Sequence, residues 1–298
     1  MELRHLQYFI AVAEERHFGR AAERLHIAQP ALSQQIKRFE TLIGAPLIKR
    51  TTRQVSLTPE GEALLPEARL TLSHAERAAQ AVRQSIHGET GTIRIGFVSS
   101  AALSIVPRLT ATIVELSPRI VVELTEITTD TQLEKLRTGD LDIGVVREVD
   151  EASGLTVQEL VQEPLWLALH NTHRLADRRS VSIDELANEE FVMFPRTAVP
   201  RLYDHLTGLC WGAGFRMEVV QHAVQYATLI GLVAANIGIS IVPDPICQLQ
   251  LPAVRYIRIE TEGAASRVSL AFPNTPEPSI LTRRAIDNIA AEFQQVIP

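Results

Sequence analysis

From Thr58 to His87 nothing but Pro66 interrupts a helical pattern, and Leu65, Ala68, Leu72, Ala75, Ala79, Val82 and Ile86 recur within it at intervals of 3, 4, 3, 4, 3 and 4. That spacing sets seven apolar side chains along one stripe, the a/d seam of a coiled coil. Thr58 and Pro59 supply an N-cap and a first helical residue, while Pro66 deletes one helical hydrogen bond and favours a kink. A helix of about 29 residues rises roughly 40 Å, too long to lie across a small domain. The chain is therefore expected to fold as separate bodies on either side of it, with the seam meeting a second copy of itself. The competing reading is a stripe packed on its own chain. Three of the seven positions are alanine, so a helix pair formed here is close but buries little and needs other contacts to hold.

The charge divides at the same place. Of the 298 residues, 29 are Lys or Arg and 35 are Asp or Glu, a net of −6. Residues 1–58 carry nine basic side chains (Arg4, Arg16, Arg20, Arg24, Lys37, Arg38, Lys49, Arg50, Arg53) against five acidic ones, a net of +4, which leaves 20 against 30, or −10, for the rest. A basic head on an acidic body suits a head that meets a polyanion and a body that stays off it.

Within the head, Leu6, Phe9, Ile10 and Ala13 recur at helical spacing, a second short helix follows the break at His17 with Ala21, Ala22 and Leu25, and a third opens at Gln29 and Pro30. The third is expected to bury Leu32, Ile36, Phe39 and Ile43 and to stop at Gly44. Three helices with the last two joined by about three residues make a helix-turn-helix. The unburied face of the third helix carries Gln29, Ser33, Gln34 and Lys37, long hydrogen-bonding groups suited to base edges and phosphates. Residues 47–57 then read as a short basic hairpin, a wing.

The run Ala21-Ala22, Leu25, Gln29, Ser33, Gln35-Ile36, Leu42, Gly44, Leu47, Arg50 and Leu57-Thr58-Pro59-Glu60-Gly61 resembles the winged helix-turn-helix of the LysR-type transcriptional regulators. The opening Met1 to Phe9 is similar to the branch of that family governing breakdown of aromatic compounds by benzoate, catechol and chlorocatechol routes. The resemblance implies that Gln29, Pro30 and Ser33 face bases, that Lys37 faces phosphate, and that Arg53 in the wing reaches the minor groove. At Gln34, where relatives often carry an arginine that takes guanine bidentately, this chain has a glutamine, which prefers adenine.

After Gly88 to Gly91 breaks the long helix, β-rich runs at 93–98, 120–127 and 141–146 alternate with helical ones at 102–116 and 131–138, the rhythm of a parallel α/β sheet. A second set follows, with strands near 165–169, 191–194, 217–220 and 239–242, and the closing strand 267–272 and helix 279–296 are placed with the first set. By itself this periodicity says α/β and no more. The resemblance implies a body similar to periplasmic solute-binding proteins, two lobes with a ligand cleft between them. The expected organisation is a winged helix-turn-helix over 1–58, a linker and dimerisation helix over 59–87, and an effector-binding domain over 88–298. Its lobe I takes in 91–161 and 266–298, and its lobe II takes in 162–265.

In open α/β sheets ligands sit at the carboxyl ends of strands, which here points to Ser99 and Ser100, Thr128 and Thr129, Arg147, and Arg196 in the loop 195–200 of the second lobe. Two arginines and several hydroxyls favour a small carboxylate. The resemblance implies that Ser100 and Thr129 contact the effector. Each residue also has a purely structural reading: Ser99 and Ser100 as helix caps, Thr128 and Thr129 as caps of the next helix, Arg147 in an ion pair with Glu148 or Asp150. Arg196 has fewer acidic neighbours in sequence.

Neither G-x-S-x-G, H-E-x-x-H, a P-loop nor G-x-G-x-x-G occurs, and no catalytic residue, metal ligand or cofactor site is expected. His170 and His173 sit in a turn without a supporting carboxylate cluster. Cys210 and Cys247 lie far apart in apolar surroundings and read as reduced thiols. The N-terminus reaches charge at once, unlike a signal peptide. Residues 223–242 lack charge, but Gln225, Thr228, Asn236, Gly238 and Ser240 interrupt them, so they divide into a buried helix and a buried strand rather than a membrane span. Together these features describe a cytoplasmic, ligand-responsive regulator working as a homodimer or homotetramer, with double-stranded operator DNA, a small carboxylate effector and RNA polymerase as partners. The alternative is an intracellular small-molecule-binding protein or enzyme whose N-terminal helices serve only assembly.

Overall fold

The computed structural model describes the backbone except at 51–54, 88–90, 117, 276 and 295–298, and the side chains except at those positions and at 50, 76, 77, 80–87 and 294. The chain forms two compact units, one of residues 1–88 with 137–140 and the other of the remainder.

In the first unit α1 (Leu3–Glu15), α2 (Phe18–Arg24) and α3 (Gln29–Ile43) precede a two-stranded hairpin, β1 (Ile48–Arg50) with β2 (Val55–Leu57), and the long α4 (Pro59–His87). His5 closes the first turn of α1 by accepting the Glu2 amide on Nδ1 at 3.1 Å, and its ring stacks on Phe39 of α3. His17 caps α2 in the same way, accepting the Gly19 and Arg20 amides. Pro30 lies in the first turn of α3, where no amide is needed, and Gly44 ends it in the left-handed region at φ 83°. Leu32, Ile36 and Phe39, at i, i+4 and i+7, are fully buried against Leu6, Phe9, Ala21 and Ala22. Ile43 departs from expectation: at 41% exposure it lies in the last turn, past the end of the core.

The hairpin is fastened to the helices at two points. Glu40 of α3 accepts the amides of Leu47 and Ile48 on Oε1, at 2.9 and 3.0 Å. Thr58 donates its hydroxyl to the Pro46 carbonyl and accepts the Gly61 amide, capping α4. Gly61 then passes so close to the hairpin that a Cβ would stand 2.2 Å from the Leu47 carbonyl oxygen.

The first half of the seam on α4 has a partner in its own chain, which corrects the expectation for that half. Ala68 is buried, and Leu65 and Leu72 are half-buried against the core formed by α1 to α3, with Arg69 paired to Glu14 at 2.9 Å. A stripe at heptad spacing also faces α1, so spacing alone could not separate the two uses. Ala75 is half-buried and Ala79 exposed; the side chains of Val82 and Ile86 lie outside the described residues.

The second unit comprises β3 (Gly91–Phe97), a 3-10 turn Ser99–Leu103, α5 (Ile105–Leu116), β4 (Ile120–Glu126), α6 (Thr129–Thr138), β5 (Ile143–Arg147), β6 (Leu155–His170), β7 (Ser180–Val181), β8 (Glu190–Met193), α7 (Pro200–Gly212), β9 (Glu218–His222), α8 (Tyr226–Ala234), β10 (Ser240–Pro243), β11 (Val254–Ile259), β12 (Ala265–Pro273) and α9 (Ile280–Gln294). One lobe holds the order β4-β3-β5-β12-β6, its first three strands parallel and its last two antiparallel. Ile93, Ile95, Val145 and Leu270 bury against Leu109 and Ile113 of α5 and Ile289 of α9, and α6 contributes Leu133 and Leu136 to a separate core with Val146. In the other lobe β6 pairs with β10 and β11, while β8 and β9 form a parallel pair bridged to Ile239.

Strand β6 belongs to both lobes. Residues 155–164 pair with β12, and 165–170 pair with β10 and β11. In sequence only 165–169 reads as strand, because Gln158, Glu159, Gln162, Glu163 and Pro164 dilute the apolar pattern. Pro164 is tolerated where the partners change, since a missing amide costs nothing at that point. Helix α7 and β11 also escaped the sequence reading, α7 because Thr207, Gly208 and Gly212 weaken its helical signal. Among the described residues no helix is long and apolar enough to cross a membrane; the uncharged 223–242 stretch forms α8 and β10, as its interruptions suggest.

Two glycines should behave oppositely. Gly61→Ala forces a methyl onto backbone and should destabilise the first unit by about 1–3 kcal/mol, whereas Gly208→Ala, in open space on α7, should stabilise the second by about 0.5–1 kcal/mol. Urea unfolding followed by circular dichroism measures both, and an unchanged midpoint for Gly61→Ala would refute the close approach.

Candidate functional site

Two surfaces carry the residues singled out above. On α3, Gln29, Pro30, Gln34 and Lys37 are exposed and Ser33 is half-buried, because Leu32, Ile36 and Phe39 turn the other face inward. Elsewhere in the head three arginines are neutralised: Glu14 takes Arg24 and Arg69, and Glu15 takes Arg20. These arginines hold the Glu14 carboxyl below its ordinary value against the opposing effect of burial. Lys37 and Arg38 have no ion-pair partner among the described residues and stand exposed beside the polar face. Arg53 lies outside the described residues.

The second surface is a cavity of about 450 Å³, counting the space open at its mouth, between the two lobes of the body. Ser99, Ser100, Thr128, Thr129 and Arg147 line it from one lobe, and Phe194, Val199, Leu202 and Tyr226 supply apolar wall. Four backbone turns converge there: the 3-10 turn at Ser99 and the N-termini of α6, α7 and α8. First-turn amides lack helical acceptors and carry partial positive charge.

At its floor Arg147, the last residue of β5, is only 4% exposed. Its Nη2 donates to Glu163 Oε2 at 2.6 Å and to Ser100 Oγ at 2.8 Å, and its Nη1 donates to Ser266 Oγ at 2.6 Å. Its Nε is buried without a partner. The Thr129 hydroxyl accepts the Arg147 amide at 3.1 Å. Tyr226 lies in the same wall, and burial pushes its hydroxyl up to about 12, so the phenol stays neutral across the physiological range. The ring of Tyr226 meets Phe194 edge-on at 4.7 Å.

Several expectations change. Arg147 pairs with Glu163, sixteen residues along the chain, rather than with Glu148 or Asp150; Asp150 is taken by Arg267 and Glu148 accepts from Ser266. Thr128 caps α6 by accepting the Thr131 amide, which leaves Thr129 as the first helical residue. Arg196 does not line the cavity. It is exposed and bidentate on Asp204, at 2.6 and 2.7 Å, and the pair holds the Asp204 carboxyl below its ordinary value. An acidic partner eight residues away comes within reach only once α7 forms. The arginine that lines the cavity from the second lobe is Arg201, in the first turn of α7, a helix the sequence did not disclose. Elsewhere, His170 turns to Thr172 and His173 to Glu189, and Cys210 and Cys247 are free thiols that burial pushes up to about 12.

A family model for the bacterial regulatory helix-turn-helix protein of the lysR family matches residues 3–62, and one for the LysR substrate binding domain matches residues 87–294. The chain is 40% identical over 260 residues to the HTH-type transcriptional regulator AlsR of Bacillus subtilis, covering 87% of this chain and 86% of that one. It is 39% identical to the uncharacterized HTH-type transcriptional regulator YnfL of Escherichia coli, covering 95% and 96%. Among solved structures it is similar to full-length CbnR, a LysR family transcriptional regulator, complexed with its target DNA, at a TM-score of 0.78 and 28% identity over 98% of this chain and 99% of that one.

Removing half of the buried pair should be worse than removing all of it. Glu163→Ala leaves an uncompensated buried guanidinium and should cost about 3–5 kcal/mol, while Arg147→Met with Glu163→Leu should cost clearly less. Urea denaturation of the three proteins decides, and equal losses would show that the pair carries no such penalty.

Proposed function

Because the chain belongs to the LysR family of bacterial transcriptional regulators, we propose that it grips a two-fold operator through the exposed face of α3 and adjusts that grip to a small carboxylate held between the lobes of its body. It is a DNA-binding regulator with an effector domain, not an enzyme. The observation that carries the reading of the head is the cationic and amide face of α3; on it we assign Gln29, Pro30, Ser33 and Gln34 to base edges and Lys37 to phosphate, and the family resemblance assigns Arg53, outside the described residues, to the minor groove. Pairing of two chains through α4 falls to Ala75, Ala79, Val82 and Ile86, since Leu65, Ala68 and Leu72 already contact their own head. Two heads so joined favour a two-fold site with half-sites in successive grooves.

For the effector, the observation is the convergence of helix N-termini on a cavity whose formal side-chain charges cancel: Arg147 against Glu163, Arg201 against Asp130. With the charges balanced, the backbone amides and the hydroxyls of Ser99, Ser100, Thr128 and Thr129 tip the preference toward an anion. The wall of Phe194, Tyr226, Val199 and Leu202 suits a ring or short hydrocarbon behind the carboxylate. An aromatic carboxylate fits both halves, in keeping with the branch suggested by the opening residues. Binding shifts the population of lobe arrangements and, through the oligomer, the spacing of the heads; contact with RNA polymerase and work in the cytoplasm complete the proposal.

Affinity for DNA upstream of its own gene should fall steeply with salt, and Lys37→Ala should weaken binding alike across sequences and lower the slope by about one. Gel-shift titration measures this, and a salt-insensitive affinity would overturn the phosphate role. Benzoate and cis,cis-muconate should raise the melting temperature of the full chain in proportion to the logarithm of their concentration. Silence from both would overturn the carboxylate reading.

A further inference from the structure

Arg201 and Asp130 face each other across the cavity mouth, one on each lobe. Arg201 Nε lies 3.2 Å from Asp130 Oδ1, and its Nη1 lies 3.5 Å from the Glu148 carbonyl oxygen. Both side chains are substantially exposed, at 40% and 52%. Their placement on their own helices is unequal. Asp130 is in the first turn of α6, where an anion is favoured, and Arg201 is in the first turn of α7, where the helix amides disfavour a cation. Glu148, whose carbonyl Arg201 also approaches, is a non-glycine residue in the left-handed region at φ 53°, a conformation that costs energy. A cation held against its helix beside a strained carbonyl is a local rule broken at a cavity, and such breaks mark function.

We infer that Arg201 is the charge-reading residue of the effector cavity and that Asp130 is its built-in competitor, displaced when a ligand carboxylate takes the guanidinium. This rests on the carboxylate reading above and names the residues that enforce it. Exchange is easy because an exposed ion pair is weak, and the incoming carboxylate gains amides from two helix N-termini as well as the fork of Arg201. Displacement also cuts the cross-lobe tie at the mouth, so occupancy and lobe mobility are coupled through one side chain. A neutral isostere has no claim on Arg201 and leaves the tie in place, so it forgoes the charge-assisted contact that a carboxylate gains and is indifferent to the pair.

The test is isothermal titration of the full-length protein at low ionic strength with benzoate, cis,cis-muconate and neutral benzamide, in wild type, Arg201→Gln, Asp130→Asn and the double variant. Benzoate binding should weaken about tenfold in Arg201→Gln, the worth of one charge-assisted hydrogen bond, and tighten severalfold in Asp130→Asn. In the double variant the gain from Asp130→Asn should vanish, a non-additivity that two merely structural residues would not produce. Benzamide should not distinguish the four proteins. If benzoate binds wild type and both single variants alike, or Asp130→Asn tightens it equally with and without Arg201, the exchange is overturned while the carboxylate reading stands. If neither carboxylate binds wild type, that reading falls and takes this inference with it.

Discussion

The body of the protein is organised around one buried charge. Arg147 ends β5 at the floor of the cavity, and its guanidinium holds β6, the strand shared by both lobes, through Glu163, β12 through Ser266, and the 3-10 turn through Ser100. Burying an arginine is costly unless it is paired and hydrogen-bonded, and Arg147 meets that demand at both terminal nitrogens with partners from three separate elements, leaving only Nε unpaired. The same bonds place Ser100 and, through the Arg147 amide, Thr129 on the cavity wall. The cavity is thus shaped by the requirement to satisfy an ion.

A comparable economy governs the head. Glu40 reaches from α3 to the first strand of the wing, Thr58 ties the end of the wing to the start of α4, and Gly61 lets that helix pass against the Leu47 carbonyl. Helix α3, the hairpin and α4 are joined by a carboxylate, a hydroxyl and an absent side chain. Glu14 and Glu15 neutralise Arg20, Arg24 and Arg69, while Lys37 and Arg38 stay exposed beside the polar face of α3.

How far the sequence could be read depended on whether a partner was near in the chain. Helix α3, its glycine stop, the hairpin and α4 are local patterns with local signals, and their approximate bounds are legible in the residues alone. Ser100 and Thr129 were legible because strand ends are where cavities form. Arg196 and Arg201, five residues apart, were not separable: composition offered two similar guanidinium groups, and only the turn of α7 sends one to Asp204 and the other into the cavity. Likewise the heptad on α4 is one stripe serving its own head first, and spacing does not say which surface a stripe meets.

Sequence by itself determined the division of this protein: a basic helical head, a long apolar-striped helix and an acidic α/β body, each set by periodicity and charge within a few dozen residues. Tertiary structure alone decided that β6 runs through both lobes, that Arg147 answers to Glu163 and Ser266, and that Arg201 faces Asp130 across the mouth. The physical reason is the range of the forces involved. Helix and strand preferences act over a few residues and leave a trace in the local pattern. Ion pairs and hydrogen bonds act between atoms about 3 Å apart in space, whatever their separation along the chain, and exist only once the chain has brought those atoms together.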